Sequence, residues 1–309
     1  MTVDQSTQQL PEFAKALTGP RRPRIALMGE FSAGKSTLAN LMIGSDPLPV
    51  QVIATQLPPV WISYGTSPAT IVDLEGKEAS CDVETLEGLS SEHTAFIRIQ
   101  CEEEILKMCD VIDMPGISDP NMSPEVWERV LPLADAVIWC SPATQAWRQS
   151  EASVWEMVPE HIREHSLLLL TRGDMLSSHI DRAKVLKRVR RETEKLFRHT
   201  LIVSLTQARD AGDDPHLWAE SGAEPFVDEF LNVISLLADH VSSDTVGKPF
   251  SALANASNPT ADQGVAAEAA PKVDVDRVVP RRPVAKSVRA RPTPRIDPAE
   301  EPSFTPKFS

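Results

Sequence analysis

Residues Gly29-Glu30-Phe31-Ser32-Ala33-Gly34-Lys35-Ser36-Thr37 carry two glycines five positions apart, followed at once by a lysine and two hydroxyls. The spacing G-x-x-x-x-G-K-S is that of a phosphate-cradling loop. A polyphosphate packs several negative charges into a small volume, so a loop that binds it must offer many donors together. Gly29 and Gly34 permit a backbone whose successive N–H groups point inward. A helix starting just after the loop adds unpaired N–H groups and the positive end of its dipole. Lys35 is expected to reach the β- and γ-phosphates, and the Ser36 hydroxyl to coordinate Mg2+. Glu30, Phe31, Ser32, Ala33 and Thr37 complete the expected nucleotide-binding loop.

Four later segments, in order along the chain, narrow the chemistry. Thr55 lies between this loop and Asp113, in Leu48-Pro-Val-Gln-Val-Ile-Ala-Thr-Gln-Leu-Pro58. A threonine hydroxyl there can complete a magnesium shell and orient an attacking water; an ordinary loop threonine is the other reading. Asp113-Met-Pro-Gly116 follows the apolar pair Val111-Ile112. An aspartate at a strand end can hold magnesium through a water, and Gly116 can offer its N–H to a γ-phosphate. Leu169-Leu-Thr-Arg-Gly-Asp174 ends another apolar run and resembles the T/N-K-x-D base-recognition element of GTPases. An aspartate at the last position accepts from guanine N1–H and the exocyclic amine. Adenine offers no donors there, and a carboxylate left unpaired costs about 1–3 kcal/mol. Thr171, Arg172 and Asp174 are therefore read as a guanine site. Arg172 replaces the usual lysine, with a flat guanidinium able to stack on a base; an ATPase remains open if that exchange spoils guanine selection. Val203-Ser204 closes the last strand, where a backbone N–H can meet the guanine oxygen.

Together, G-E-F-S-A-G-K-S-T, L-P-V-x-x-x-x-T-x-x-P, D-M-P-G and T-R-G-D resemble the GTPase domain of bacterial dynamin-like proteins, over roughly residues 24–240. The resemblance implies that Ser32 helps to organise the transition state. It assigns Lys35 and Ser36 to phosphate and Mg2+, Thr55 to a switch, Asp113 and Gly116 to the γ-phosphate, and Asp174 to guanine. Catalysis would rest on Ser32, Lys35 and Thr55, and the metal on Ser36, Thr55 and Asp113. It further implies hydrolysis of GTP to GDP and a nucleotide-dependent homodimer. Two departures stand out. Phe31 occupies the place of a glutamine in eukaryotic dynamins, and a Pro-rich segment stands where the family carries a long helical stalk. A stalk-bearing partner is one way to supply the missing part. The alternative reading is a GTP-dependent switch or adaptor that hydrolyses weakly and recruits a partner or membrane surface through its tail.

These residues need strands and helices to hold them. Apolar runs predict strands at 24–29, 58–64, 69–74, 79–83, 95–101, 106–112, 135–140, 166–171 and 200–204. Amphipathic spacing predicts helices at 35–43, 123–132, 149–158, 180–197 and 223–241. The expected fold is an α/β P-loop GTPase domain, three-layered, with a mixed, mostly parallel sheet and extra antiparallel strands from 58–101 at one side. Arg148, in the loop after the 135–140 strand, reads as a surface residue or, alternatively, as an arginine finger acting across a dimer.

Composition bounds the rest. The net charge of −13 disfavours nucleic-acid binding through a basic body. Cys81, Cys101, Cys109 and Cys140 show neither C-x-x-C nor metal-ligand spacing, which suits a reducing cytoplasm. The first ten residues lack an apolar signal core, and no apolar run approaches the roughly 18 residues of a membrane span. A soluble, cytoplasmic protein is expected, with membrane contact at most peripheral. Three regions follow: a polar lead-in over 1–22, the GTPase domain over 23–246, and a disordered Pro-rich tail over 247–309. The tail holds ten prolines and ten basic against seven acidic residues. Six of the basic ones, Arg281, Arg282, Lys286, Arg289, Arg291 and Arg295, fall within 281–295 and could meet an anionic lipid surface or acidic partner.

Overall fold

The computed structural model describes residues 13–14, 21–44, 57–81, 86, 89–119 and 122–244. Thr55 and the tail lie outside the described residues. Among the described residues nine strands form one sheet: β1 (Arg24–Gly29), β2 (Val60–Tyr64), β3 (Thr70–Asp73), β4 (Glu78–Ser80), β5 (Thr94–Cys101), β6 (Asp110–Asp113), β7 (Ala136–Pro142), β8 (Leu167–Thr171) and β9 (His199–Ile202). Their order is β4-β3-β5-β2-β6-β1-β7-β8-β9. The β6-β1-β7-β8-β9 half is wholly parallel. Beyond β6 the direction reverses at β2, and β3 runs antiparallel to both β5 and β4. Within this added side β2 and β5 are parallel neighbours, so it is not the simple antiparallel meander that several short strands in a row suggest.

Every residue of β1 and β8 is buried, as expected of strands covered on both faces. Side chains alternate between two cores. Ile25, Leu27, Ile138, Leu167 and Leu169 face one, with Leu38, Phe226, Phe230 and Leu237. Ala26, Met28, Val137, Trp139, Leu168 and Leu170 face the other, with Trp127, Trp155 and Val189. Helices α1 (Lys35–Ile43), α2 (Glu125–Glu128), α3 (Gln149–Trp155), α4 (Glu160–Arg163), α5 (His179–Glu192), α6 (Leu205–Asp210), α7 (Pro215–Ser221) and α8 (Ala223–Asp244) supply the outer layers. The result is the three-layer α/β arrangement the apolar runs predict.

Several elements depart from expectation. The 106–112 strand is shorter: Glu104–Lys107 is a 3-10 turn, with the Leu106 N–H on the Glu103 carbonyl, and β6 begins only at Asp110. The 123–132 helix breaks after α2, because Pro132 has no N–H to donate and forces a 3-10 turn at Leu131–Leu133. Helix α5 ends at Glu192, where the Thr193 hydroxyl turns back to the Val189 carbonyl at 2.8 Å. Helices α4, α6 and α7 carry too little periodicity to be read from sequence. Only local chemistry marks α7: Asp214 caps it by accepting from the His216 and Leu217 N–H groups, with Pro215 at the first turn.

Candidate functional site

Strand β1 delivers the phosphate loop to the C-terminal edge of the parallel half-sheet, the usual ligand edge of such sheets. Gly29 has φ of +139°, and a Cβ there would lie 2.1 Å from the Cys140 carbonyl oxygen on β7. Only glycine lets the chain leave β1 this close to its neighbour. The loop then doubles back, with Ala33 N–H on the Glu30 carbonyl and Ser32 in left-handed backbone at φ 57°. Lys35 is buried, and its Nζ donates to the Gly29 carbonyl at 3.1 Å and the Glu30 carbonyl at 2.8 Å. Burial pulls the ammonium below its ordinary range, opposed chiefly by the Asp113 carboxylate. The positive charge is thus already folded over the loop at the head of α1. Thr37 sits in the first turn of the same helix.

Asp113 ends β6 beside it. The Ser36 hydroxyl donates to Asp113 Oδ2 at 2.5 Å. The other carboxylate oxygen, Oδ1, is buried and has no hydrogen-bond partner among the described residues. Burial raises the Asp113 carboxyl above its ordinary range, opposed by the Ser36 bond and the Lys35 charge. An orphaned buried oxygen next to a hydroxyl is a hard-oxygen donor pair, the chemistry that suits Mg2+. Ser36 and Asp113 therefore fit that ion. Gly116 packs directly on the loop: a Cβ there would lie 2.8 Å from Phe31 Cα. Ser118 fixes the same contact by accepting from the Phe31 N–H at 3.1 Å. Phe31 itself is exposed at the rim.

The base-side residues converge from β8 and β9. The Thr171 hydroxyl donates to the Ala33 carbonyl at 2.8 Å, and Arg172 Nη2 donates to the Ser32 carbonyl at 2.6 Å. Arg172 has φ of 56°, so the chain turns sharply as it leaves β8. Gly173 N–H binds the Val203 carbonyl, and Asp174 Oδ1 accepts from the Ser204 hydroxyl at 2.6 Å. The N–H groups of Val203 and Ser204 are engaged with the Leu170 and Ser221 carbonyls. Ser204 thus meets Asp174 through its hydroxyl, and its backbone N–H, expected to be a free donor, is engaged with Ser221.

Loop residues 29–37, Asp113, Gly116, Thr171, Arg172, Asp174 and Ser204 are accordingly brought to one edge of the sheet, and Thr55 lies outside the described residues. A cavity of about 380 Å³ opens over the loop, lined in part by Glu30, Phe31, Ser32, Ser118, Arg148 and Arg172. Sequence reasoning missed what surrounds Arg148. Its guanidinium pairs with Glu30 in its own chain, Nη1 to Oε2 at 2.8 Å. Behind it, buried Glu151 accepts from Trp139 Nε1, the Ser141 hydroxyl and the Arg148 N–H, each at 2.9 Å. The only sequence signal was an acidic residue three positions after a helix start, the spacing of a capping box.

The sequence signature of the dynamin family matches residues 25–172. Dynamin-like protein 2 of Campylobacter jejuni is 26% identical over 192 residues, covering 60% of this chain and 31% of that protein. The isoniazid-induced protein IniC of Mycobacterium tuberculosis is 27% identical over 148 residues, covering 42% of this chain and 29% of its own length. Two chains solved in work on an oligomerised bacterial dynamin pair, described as a mechanism for long-range sensing and tethering of membranes, superpose with TM-scores of 0.54 and 0.53 at 20% and 18% identity. Each superposition covers 73% of this chain, and 48% and 37% of the solved chains. The chain spans about a third of the length of the curated relatives it matches. The loop and residues 25–172 thus resemble the dynamin family, whose signature they match, and bacterial dynamin-like proteins are among the proteins this chain is similar to.

Proposed function

We propose that the chain binds GTP with Mg2+ and hydrolyses it to GDP and phosphate. One observation carries this reading: Lys35 lies folded on the loop carbonyls while Ser36 and the half-orphaned Asp113 form an oxygen pair beside it. Ser36 and Asp113 would hold the ion, which would supply positive charge to the phosphates. Loop amides and Lys35 take the phosphate oxygens, and Asp174 takes the guanine N–H groups. Thr55 and Gly116 orient the attacking water and read the γ-phosphate. The water oxygen then bonds to the γ-phosphorus as the bridging bond to GDP breaks. Ser32 and the loop donors stabilise the charge that develops there. Residues 23–246 act as the GTPase unit in this reading, and 1–22 and 247–309 are appendages to it.

We further propose that two such domains meet across the nucleotide, which Phe31, exposed where it lines the cavity, favours. The basic stretch 281–295 is a candidate contact for an anionic membrane surface or an acidic partner. Turnover of GTP and ATP measured at rising protein concentration tests the enzyme reading. Turnover per molecule that climbs with concentration, and is lost in K35A, supports it. Tight GTP binding without turnover at any concentration favours the adaptor, and preference for ATP overturns the guanine assignment.

A further inference from the structure

The ion pair between Arg148 and Glu30 touches the phosphate loop from its side. Glu30 is the second residue of that loop, and its carbonyl already accepts from Lys35. Its carboxylate is almost out of water, with 10% of the side chain accessible against 44% for Arg148. Oε2 accepts from Arg148 Nη1 at 2.8 Å, and Oε1 accepts from the Ser150 hydroxyl at 2.9 Å. The negative charge of Glu30 reaches as far as the Lys35 ammonium. A buried carboxylate at this position works against the cargo of the loop. A triphosphate brings more negative charge to Lys35 than a diphosphate, so an unneutralised Glu30 repels it more strongly.

The backbone that carries Arg148 is held from several sides. Trp147, just before it, has φ of 61°, a backbone unfavourable for a bulky L-residue. It is fixed there from several sides. Its N–H donates to the Ser141 hydroxyl at 3.1 Å, and its ring meets Trp139 and Phe197 edge-on, with centroids 6.2 and 5.2 Å away. Arg188 Nη2 donates to the Ala146 carbonyl at 3.1 Å, and the Arg148 N–H donates to Glu151 Oε2 at 2.9 Å. These contacts fix the backbone from which the Arg148 side chain reaches Glu30.

We propose that Arg148 is a positioning residue that neutralises Glu30, and that preference for nucleoside triphosphate over diphosphate at the phosphate loop depends on this pair. The inference rests on the nucleotide reading above. Its test is the affinity of the full chain for mant-GDP and for a hydrolysis-resistant mant-GTP analogue, both with Mg2+. The variants are R148A, R148K and the double variant E30Q/R148A. R148A is expected to weaken the triphosphate about tenfold and the diphosphate no more than about threefold. R148K, which keeps the charge, recovers most of the loss, and E30Q/R148A returns the triphosphate-to-diphosphate ratio towards the wild-type value. Equal weakening of both nucleotides in R148A, or no recovery when Glu30 is also neutralised, means that Arg148 merely props up its loop and overturns the proposal. A wild-type chain that binds neither nucleotide overturns this proposal together with the reading beneath it.

Discussion

At the scale of single residues, the chemistry was legible because it demands particular side chains at fixed spacing. Lys35, Ser36 and Asp113 come together as their types required, and the structure adds the orphaned Oδ1 that no spacing could reveal. Ser204 was legible only by position, since the bond from its hydroxyl to Asp174 depends on how β9 meets the loop after β8. Arg148 was legible as a surface residue or an arginine finger, but its partner in its own chain was not. Its partner lies 118 residues away, and an arginine after a strand carries no signal of what it will meet. Asp174 offers the sharpest residue-scale prediction. On the proposed guanine assignment, Asp174→Asn removes an acceptor for the base N–H groups and should weaken GTP by about ten- to a hundredfold. ATP affinity should change little, since adenine presents no donors to that carboxylate. Parallel titrations of both nucleotides check it, and an equal loss for both would move Asp174 out of the base site.

At the scale of elements, long apolar runs were read well and short helices poorly. β7 and β8 are buried throughout or nearly so, and composition alone marks them. Helices α6 and α7 are one or two turns long and hold their places by caps and contacts with neighbours, which periodicity cannot register. The turn from β7 into α3 depends on Glu151. Burial pushes its carboxyl above the ordinary range, against three hydrogen bonds that favour the charged form. Glu151→Ala strands Trp139, Ser141 and the Arg148 N–H at once, and should cost about 3 kcal/mol. Chemical denaturation of the two proteins measures this; a change under about 1 kcal/mol would show the network to be dispensable.

A second element-scale prediction concerns His165, which follows α4 and lies near His240 of α8, with ring centroids 5.4 Å apart and the planes tilted by 48°. Burial lowers its pKa from 6.5, reinforced by His240 and Arg198 and opposed by Glu164 and Asp135. The folded state therefore binds the proton less readily than the unfolded chain. The stability it contributes is complete above 6.5 and is lost as pH falls below that value towards the lower folded pKa. His165→Phe should flatten the pH dependence of the melting temperature between about pH 7 and 5. An unchanged profile would assign the slope to other groups.

At the scale of the whole molecule, the sequence reading of an α/β domain held, while the order of strands could not be foreseen. β6 lies between β1 and β2, and β5 between β2 and β3, because pairings so distant in sequence are decided by tertiary packing. No described helix is long and apolar enough to cross a membrane. The two cores on either face of the sheet hold the 29–37 loop, Asp113 and the 171–174 loop at one edge. Everything proposed for larger assemblies depends on what that edge binds. Calorimetric titration of the full chain with GTP, GDP and ATP, with and without Mg2+, is the most direct test. Saturable binding of both guanine nucleotides is expected, with ATP weaker by at least about tenfold and a marked loss of GTP affinity when the metal is chelated. Failure of GTP and GDP to bind in the presence of Mg2+, or tighter binding of ATP, would contradict the proposed function.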